Sequence, residues 1–314
     1  MQKASNNNNN ENIIIEADGA VIKTGSQIGR LEQVLAMLPF KFQSQKPAIA
    51  VLQLYGVIGK VSNLKFGLCL HSINELIEKA FAIPKLRAIC LNINSPGGSP
   101  VQSELIAKRI ITLSKIKQIP VYSFVEDVAA SGGYWLACAG EEIYSSKSSV
   151  IGSIGVISSS FGFHEAINKI GIERRVYTEG NNKSILDPFQ PVKEVDIKVI
   201  KQLQQQIHQH FIDYIKERRA GKLTQTDEIL FNGEFWAGET AHDFGLIDGI
   251  SDMYCFIRNK FGEDVQIKYI TGKQSWLKKK LSVHSNNNIE LDQLIDETIN
   301  NIKHRIIYKK FDLQ

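Results

Sequence analysis

Apolar and polar positions in the first half of the chain follow two periods, one typical of buried strands and one typical of helices. Runs of apolar and β-branched residues at 48–59, 88–95 and 119–125 predict strands. Between them, apolar residues recur at helical spacing over 71–80 and 100–116. Strands that alternate with helices in this way predict an α/β fold with a largely parallel sheet.

The second half of the chain predicts shorter strands and one long helix. Strands are expected within 141–146, 149–158 and 174–180, and an amphipathic helix within 161–171, which ends in glycine. A long helix is expected over Val195–Arg219, because its apolar residues fall on one face. Those residues are Ile197, Ile200, Leu203, Ile207, Phe211 and Ile215.

These patterns divide the chain into three parts. Residues 1–46 combine an asparagine-rich tail, expected to be disordered, with an amphipathic helix at 28–38 that stops before Pro39. Residues 47–262 form the predicted catalytic core. Residues 263–314 are less regular and are expected to be a C-terminal extension.

Composition narrows the classes of function. The 37 basic and 33 acidic residues leave a net charge of +4, too mild to indicate nucleic acid as a partner. Four cysteines without CxxC spacing indicate neither a zinc site nor a disulfide framework, so we expect no metal and no cofactor.

The expected location is a bacterial cytosol. The first 46 residues lack a signal-peptide pattern, and no run approaches the roughly 20 apolar residues of a spanning helix. Basic residues within 273–310 could attract an anionic membrane surface weakly, although acidic residues lie among them.

A serine between small residues is the first candidate for chemistry. Ser131 lies in EDVAASGGYWL, where a predicted strand turns into a predicted helix. Small neighbours allow a substrate to approach, and a helix N-terminus offers unpaired N–H groups. Two roles remain open on local sequence alone: a nucleophile, or a serine that caps the helix.

A second glycine-rich turn, NSPGGSP at 94–100, follows another predicted strand. Adjacent glycines can direct a backbone N–H into a cleft, as an oxyanion hole requires, and Gly98 is the first choice. Gly132, directly after Ser131, is a second possible donor. An ordinary strand-to-helix turn is the alternative for 94–100.

The sequence offers two kinds of base for a nucleophilic serine. None of the seven histidines lies in a glycine-rich turn, and His164 is the one that packing or solvation explains least well. Lys183 lies in a loop near Ile185, Leu186 and Phe189, where apolar surroundings would favour the neutral amine that can accept a proton. A solvated lysine is the alternative.

Five motifs follow one another within about 48–262, and together they resemble one family. They are INSPGGSPVQS, VEDVAASGGYWLACAGEEI, SVIGSIGVIS, GIERRVYTEGNNKSILDPF and GEFWAGETAHDFGLID. The set is similar to the signal peptide peptidase A family, the SppA/SohB-like serine proteases, and most similar to its short bacterial members.

This resemblance implies a Clp-protease/crotonase-like spiral of ββα units and a Ser-Lys dyad. By position in the matching motifs, Ser131 resembles the nucleophile and Lys183 the general base, whereas Ser153 resembles the hydroxyl that orients the lysine. Gly98 and Gly132 resemble the oxyanion donors. The resemblance also implies a ring-like homo-oligomer in which serine and lysine come from neighbouring subunits, and apolar unfolded peptides such as signal-peptide remnants as substrates.

The chain departs from the family pattern in two places: no signal anchor opens it, and Asn181 and Asn182 precede Lys183 where many members have an aromatic residue.

Two other functions remain open. A crotonase-like acyl-CoA enzyme would need a carboxylate base, for which Glu126 and Asp127 are the nearby candidates. A non-catalytic oligomeric scaffold would bind apolar peptides without needing Ser131.

Overall fold

The structure is a computed structural model that describes residues 46–59 and 67–271. The asparagine-rich tail and helix expected within 1–46, and the basic residues within 273–310, lie outside the described residues. The three-part division of the chain stays a prediction.

Eight strands in the described part of the chain form one sheet, in the order β6-β5-β3-β2-β1-β8, with β4 between β3 and β7. All pairings in this sheet are parallel except that of β5 with β6. The strands are β1 (Ala48–Tyr55), β2 (Leu86–Ser95), β3 (Val121–Ala130), β4 (Glu142–Ser145), β5 (Val150–Gly152), β6 (Phe235–Ala237), β7 (Gly249–Ile250) and β8 (Gln266–Tyr269).

Helices connect the parallel strands, as the sequence predicts. Ser99 caps the second helix by accepting a hydrogen bond from Gln102 N, and Pro100 stands at its first position, where a missing N–H costs nothing. The helices are α1 (Leu70–Phe81), α2 (Pro100–Lys117), α3 (Gly132–Ala137), α4 (His164–Lys169), α5 (Glu194–Arg218), α6 (Asp227–Leu230), α7 (Gly238–Asp243) and α8 (Met253–Phe261).

β3 belongs to two parts of the sheet. Its first half, Tyr122–Val125, pairs with β4, whereas its last residues, Val128–Ala130, pair with β5. The sheet therefore turns at β3, which agrees with the expected α/β spiral and confirms the predicted fold class. Ser131 directly follows the strand at which the sheet turns.

Apolar side chains cover both faces of the sheet. One face packs on α1, α2, α3 and α5, where Ile77, Ile106 and Ile215 are fully buried, each contributing about 2 kcal/mol by removal from water. The other face packs on α8, with Phe256 against Tyr122 at 4.9 Å between ring centroids. The sheet also continues past residue 262, because β8 pairs with β1.

Three elements differ from the prediction. Residues 174–180 form no strand, because nearly all of them are exposed and no neighbouring strand satisfies their backbone groups. The helix expected within 161–171 is reduced to α4, which buries no residue. In α5, Phe211 and Ile215 are buried as expected, but Ile197 and Leu203 are 43% and 49% exposed.

Candidate active site

Ser131 occupies a strained turn between β3 and α3. Its φ of 52° and ψ of −122° are angles that residues other than glycine rarely adopt. The turn is held by a hydrogen bond of 2.8 Å from Ser131 N to Gly152 O. Although Ser131 stands at the N-cap position, its side chain makes no capping hydrogen bond in the described structure. The hydroxyl is half-buried and is not used as a helix cap.

The two glycine-rich turns lie in direct contact. A Cβ added to Gly97 would lie 2.7 Å from Gly132 N and 2.8 Å from Ser131 Cβ. A Cβ on Gly132 would lie 3.3 Å from Gly98 N and 2.4 Å from Ser103 Oγ. Only glycines permit this approach, which places the backbone N–H groups of Gly98 and Gly132 beside the serine.

Neither of these two N–H groups donates to a backbone carbonyl within the described ranges. That of Gly132 opens α3 and has no partner within the helix. Gly98 has a φ of 145°, and a Cβ there would lie 2.1 Å from Ile58 O, so the turn requires glycine. Two unpaired donors next to a serine hydroxyl are the arrangement that stabilises an oxyanion.

A small apolar cavity of about 10 Å³ opens at Ser131, with room for about one water molecule. Gly98 and Gly132 lie on one part of its wall, and Ile207 and Phe211 of α5 form another part. Trp135 stacks on Phe211 with ring centroids 4.7 Å apart, which holds α5 against α3. The remaining lining residues are Pro100, Gly155, Val156 and Ile207.

Side chains from distant parts of the chain hold the short helix α3 in place. Arg218 donates from Nε to Cys138 O at 2.7 Å and from NH2 to Gly140 O at 3.0 Å, which satisfies carbonyls at the end of α3. Tyr134 donates from its hydroxyl to Leu246 O at 2.7 Å. Because Ser131 directly precedes α3, these contacts fix the position of the serine.

A buried ion pair anchors the C-terminal end of α5. Arg219 is 2% exposed and donates to Asp248 Oδ2 at 2.6 Å, while Lys222 donates to Asp248 Oδ1 at 2.6 Å. Burial acts to raise the pKa of the Asp248 carboxyl, but the hydrogen bonds from Arg219 and Lys222 outweigh it and hold the pKa below its usual range.

Neither the lysine nor the second serine of the predicted site lines this cavity in the single chain. Lys183 is exposed, in a turn where its N–H donates to Gly180 O, and it does not line the cavity at Ser131. Ser153 follows Gly152, whose carbonyl holds the Ser131 backbone, and donates its own N–H to Glu234 O at 2.6 Å. Their predicted roles remain predictions.

The carboxylates that an acyl-CoA enzyme would need accept hydrogen bonds from other side chains. Glu126 Oε1 accepts hydrogen bonds of 2.6 Å from both Tyr55 and Asn92, and Asp127 accepts one of 2.7 Å from Asn94. Neither carboxylate lines the cavity at Ser131.

Other nucleophiles and bases fit the site less well. Burial raises the pKa of the Cys138 thiol to about 11, which suppresses the thiolate. His164 lines a different cavity, beside Leu186. His208, which helix periodicity alone does not distinguish from other helix histidines, lies close to the site, with Nε2 3.1 Å from Ile154 O.

Residues 46–59 and 67–271 contain neither a candidate metal-ligand cluster nor a membrane-spanning helix. No group of three or more His, Cys, Asp or Glu side chains there is placed to hold a metal ion. No helix of these ranges combines the length and the hydropathy needed to cross a bilayer.

Residues 114–260 match the model of peptidase family S49. A putative signal peptide peptidase SppA of Enterococcus faecium is 30% identical over 165 residues, which cover 52% of this chain and 47% of that protein. A probable protease SohB of Buchnera aphidicola is 30% identical over 217 residues, which cover 67% of this chain and 62% of that protein.

A longer relative carries a different name. A Na(+)/H(+) antiporter NhaA of Brucella melitensis is 51% identical over 247 residues, which cover 78% of this chain but 33% of that protein. The chain thus spans about a third of that relative and about half of the SppA relative. Among solved structures, a membrane-bound stomatin-specific protease with a substrate peptide is 18% identical and covers 76% of this chain and 97% of its own, with a TM-score of 0.44.

Proposed function

Because the chain belongs to the SppA/SohB-like proteins of peptidase family S49, we propose that it is a serine endopeptidase in which Ser131 is the nucleophile and Lys183 the general base. The observation that carries the proposal is the turn at Ser131, where a strained serine with an unused hydroxyl lies beside two unpaired backbone N–H groups. Backbone strain of this kind costs about 1–3 kcal/mol and persists where function needs it.

The proposed reaction is acyl transfer to the Ser131 oxygen. The oxygen attacks the peptide carbonyl while a neutral Lys183 amine takes the hydroxyl proton, and the same amine later donates that proton to the leaving amine. The N–H groups of Gly98 and Gly132 stabilise the tetrahedral oxyanion. A water molecule then hydrolyses the ester and regenerates the serine.

Lys183 has to reach Ser131 from another subunit in this proposal. In the single chain the lysine is exposed and lies outside the serine cavity. A second copy is also favoured by exposed apolar side chains: Val195, Val199 and Leu203 are 59%, 38% and 49% exposed. Spaced at i, i+4 and i+8, these three residues form an outer stripe on α5 that a neighbouring copy would cover.

The proposed substrates are unfolded apolar peptides, including signal-peptide remnants. The small cavity at Ser131 is lined by apolar side chains and glycines, which suits a small side chain of an extended peptide. Ser153 is proposed to orient the Lys183 amine. The cytosolic location expected from the sequence stays a prediction.

Hydrolysis by matched proteins tests the proposal. Wild type and Ser131→Ala are compared at equal folded concentration on unfolded casein and on short apolar fluorogenic peptides. We expect activity in the wild type and loss of more than about a thousandfold in Ser131→Ala, because the nucleophile is absent. Equal rates in the two proteins would refute the role of Ser131.

A further inference from the structure

Helix α5 lines a second cavity, next to the one at Ser131. Its volume is about 230 Å³, and Val156 lines both cavities. Ile207, on the wall of the serine cavity, directly precedes His208, on the wall of the second. The second cavity, here called the α5 polar subsite, is lined by Val156, Lys201, Gln204, Gln205 and His208.

The chemistry of the α5 polar subsite suits an anion. Lys201 contributes a cation with three donors, and the two glutamine amides contribute neutral donors. His208 Nε2 lies 3.1 Å from Ile154 O. A carbonyl only accepts, so Nε2 carries a proton and the ring is fixed. No acidic side chain is among the residues that line the subsite.

The subsite also lies at a distance that a bound peptide would span. Lys201 and Ile207 are six residues apart on α5, which is about 9 Å along a helix axis. An extended peptide advances about 3.3 Å per residue. A peptide that leaves the serine cavity along α5 therefore reaches Lys201 after about three residues.

We propose that the α5 polar subsite binds a carboxylate of the peptide substrate about three residues from the scissile bond. This inference rests on the proposed peptidase function and adds a substrate class to it: peptides with an acidic side chain, or with their C-terminal carboxylate, at that position. Lys201 is the specificity-determining residue, and the amide N–H groups of Gln204 and Gln205 orient the carboxylate.

A charge scan of the substrate tests this inference. Peptides that differ only by Glu or Gln, two to four residues to either side of the scissile bond, are prepared with free-acid or amide C-termini. For one position we expect kcat/KM to be about tenfold higher for the carboxylate than for the amide, as for a charge-assisted hydrogen bond. A preference for Glu identifies a side chain, and a preference for the free acid identifies the C-terminus.

Variants of α5 assign the effect to Lys201. Lys201→Ala should bring the ratio of kcat/KM for the two peptides close to one, and Lys201→Glu should favour a peptide with Lys at that position. The ratio is independent of the active fraction of each preparation. Lys198→Ala removes an exposed lysine of the same helix outside the subsite and should leave both activity and ratio unchanged.

Three results would overturn the inference. One is Ser131-dependent cleavage with equal rates for the carboxylate and amide peptides at every position. Another is a carboxylate preference that Lys201→Glu leaves intact. Absence of any Ser131-dependent cleavage would overturn the peptidase proposal itself, and the subsite with it.

Discussion

At the scale of single residues, the site depends on backbone geometry that few side chains permit. Ser131 adopts a positive φ, and Gly98 and Gly132 lie where a Cβ would collide with Ile58 O and Ser103 Oγ. The glycine-rich motifs predict a close backbone approach at these positions, because glycine admits positive φ and has no Cβ to collide. The sequence does not reveal that the Ser131 hydroxyl makes no cap, since that depends on its dihedral angles.

Gly98→Ala should impair catalysis strongly. The added Cβ would lie 2.1 Å from Ile58 O, so the turn must move and its N–H leaves the oxyanion position. Loss of one oxyanion donor typically lowers kcat by about 100-fold or more. The measurement is kcat on an apolar peptide.

Gly56→Ala is the matched control for this substitution. Gly56 also has a positive φ, of 86°, but a Cβ there meets nothing within 4 Å. It should lower stability slightly while kcat stays within a few-fold of wild type. Equal losses of kcat in the two variants would mean that Gly98 contributes general stability and not an oxyanion donor.

At the scale of elements, α3 and α5 form one support for the nucleophile. The periodic pattern predicts α5 to within one residue at each end, because its apolar residues recur at helical spacing over a long segment. The contacts that matter for the site were not predictable: Arg218 caps the end of α3 and Arg219 pairs with Asp248, across long separations in sequence. Residues 174–180 were predicted as a strand because propensity carries no information about whether a partner strand exists.

Asp248→Asn should destabilise the fold by about 3 kcal/mol at neutral pH, because Arg219 would be left buried without its counter-charge. The folded pKa of Asp248 is lowered, so its contribution is present above the unfolded pKa and is lost as pH falls through the folded pKa. Urea unfolding at neutral pH and at acidic pH should therefore show a weaker loss of stability on acidification in Asp248→Asn than in wild type.

Asp264→Asn serves as the control for this comparison. Asp264 pairs with Lys46 at 3.1 Å, but its side chain is 94% exposed. An exposed ion pair of this kind contributes at most about 1 kcal/mol. If the two variants lost the same stability with the same pH dependence, the Arg219–Asp248 pair would not be the anchor of α5.

At the scale of the whole molecule, the single chain leaves two features unexplained. Lys183 is exposed and does not line the serine cavity, and the outer stripe on α5 is exposed. Sequence periodicity places Leu203 on the same face as Phe211. Periodicity identifies the apolar face of a helix, but it does not indicate whether the same chain or a second copy covers each residue. The proposed homo-oligomer would account for both features, because neighbouring copies would then complete each site.

Mixed subunits test whether the site is shared. Ser131→Ala and Lys183→Ala proteins, each inactive alone, are mixed in equal amounts and allowed to exchange subunits. About a quarter of wild-type activity should return, since each site then draws an intact serine and an intact lysine at random from neighbouring copies. No recovery after demonstrated exchange would place both groups in one chain or remove Lys183 from the mechanism.

Leu203→Glu should dissociate the assembly. A charge in the outer stripe would have to be buried between copies without a partner, which costs several kcal/mol. Sedimentation should therefore show smaller particles, and peptidase activity should fall with them. Gln202→Glu introduces the same charge on the same turn of α5 outside the stripe and should leave particle size unchanged.

The proposed reaction passes through a covalent acyl-enzyme on Ser131. The most direct measurement is mass spectrometry of the wild type quenched during turnover of an activated apolar peptide ester, followed by peptide mapping. We expect an acyl adduct on Ser131 that is absent from Ser131→Ala. Hydrolysis that proceeds with the adduct on another residue, or at an unchanged rate in Ser131→Ala, would contradict it.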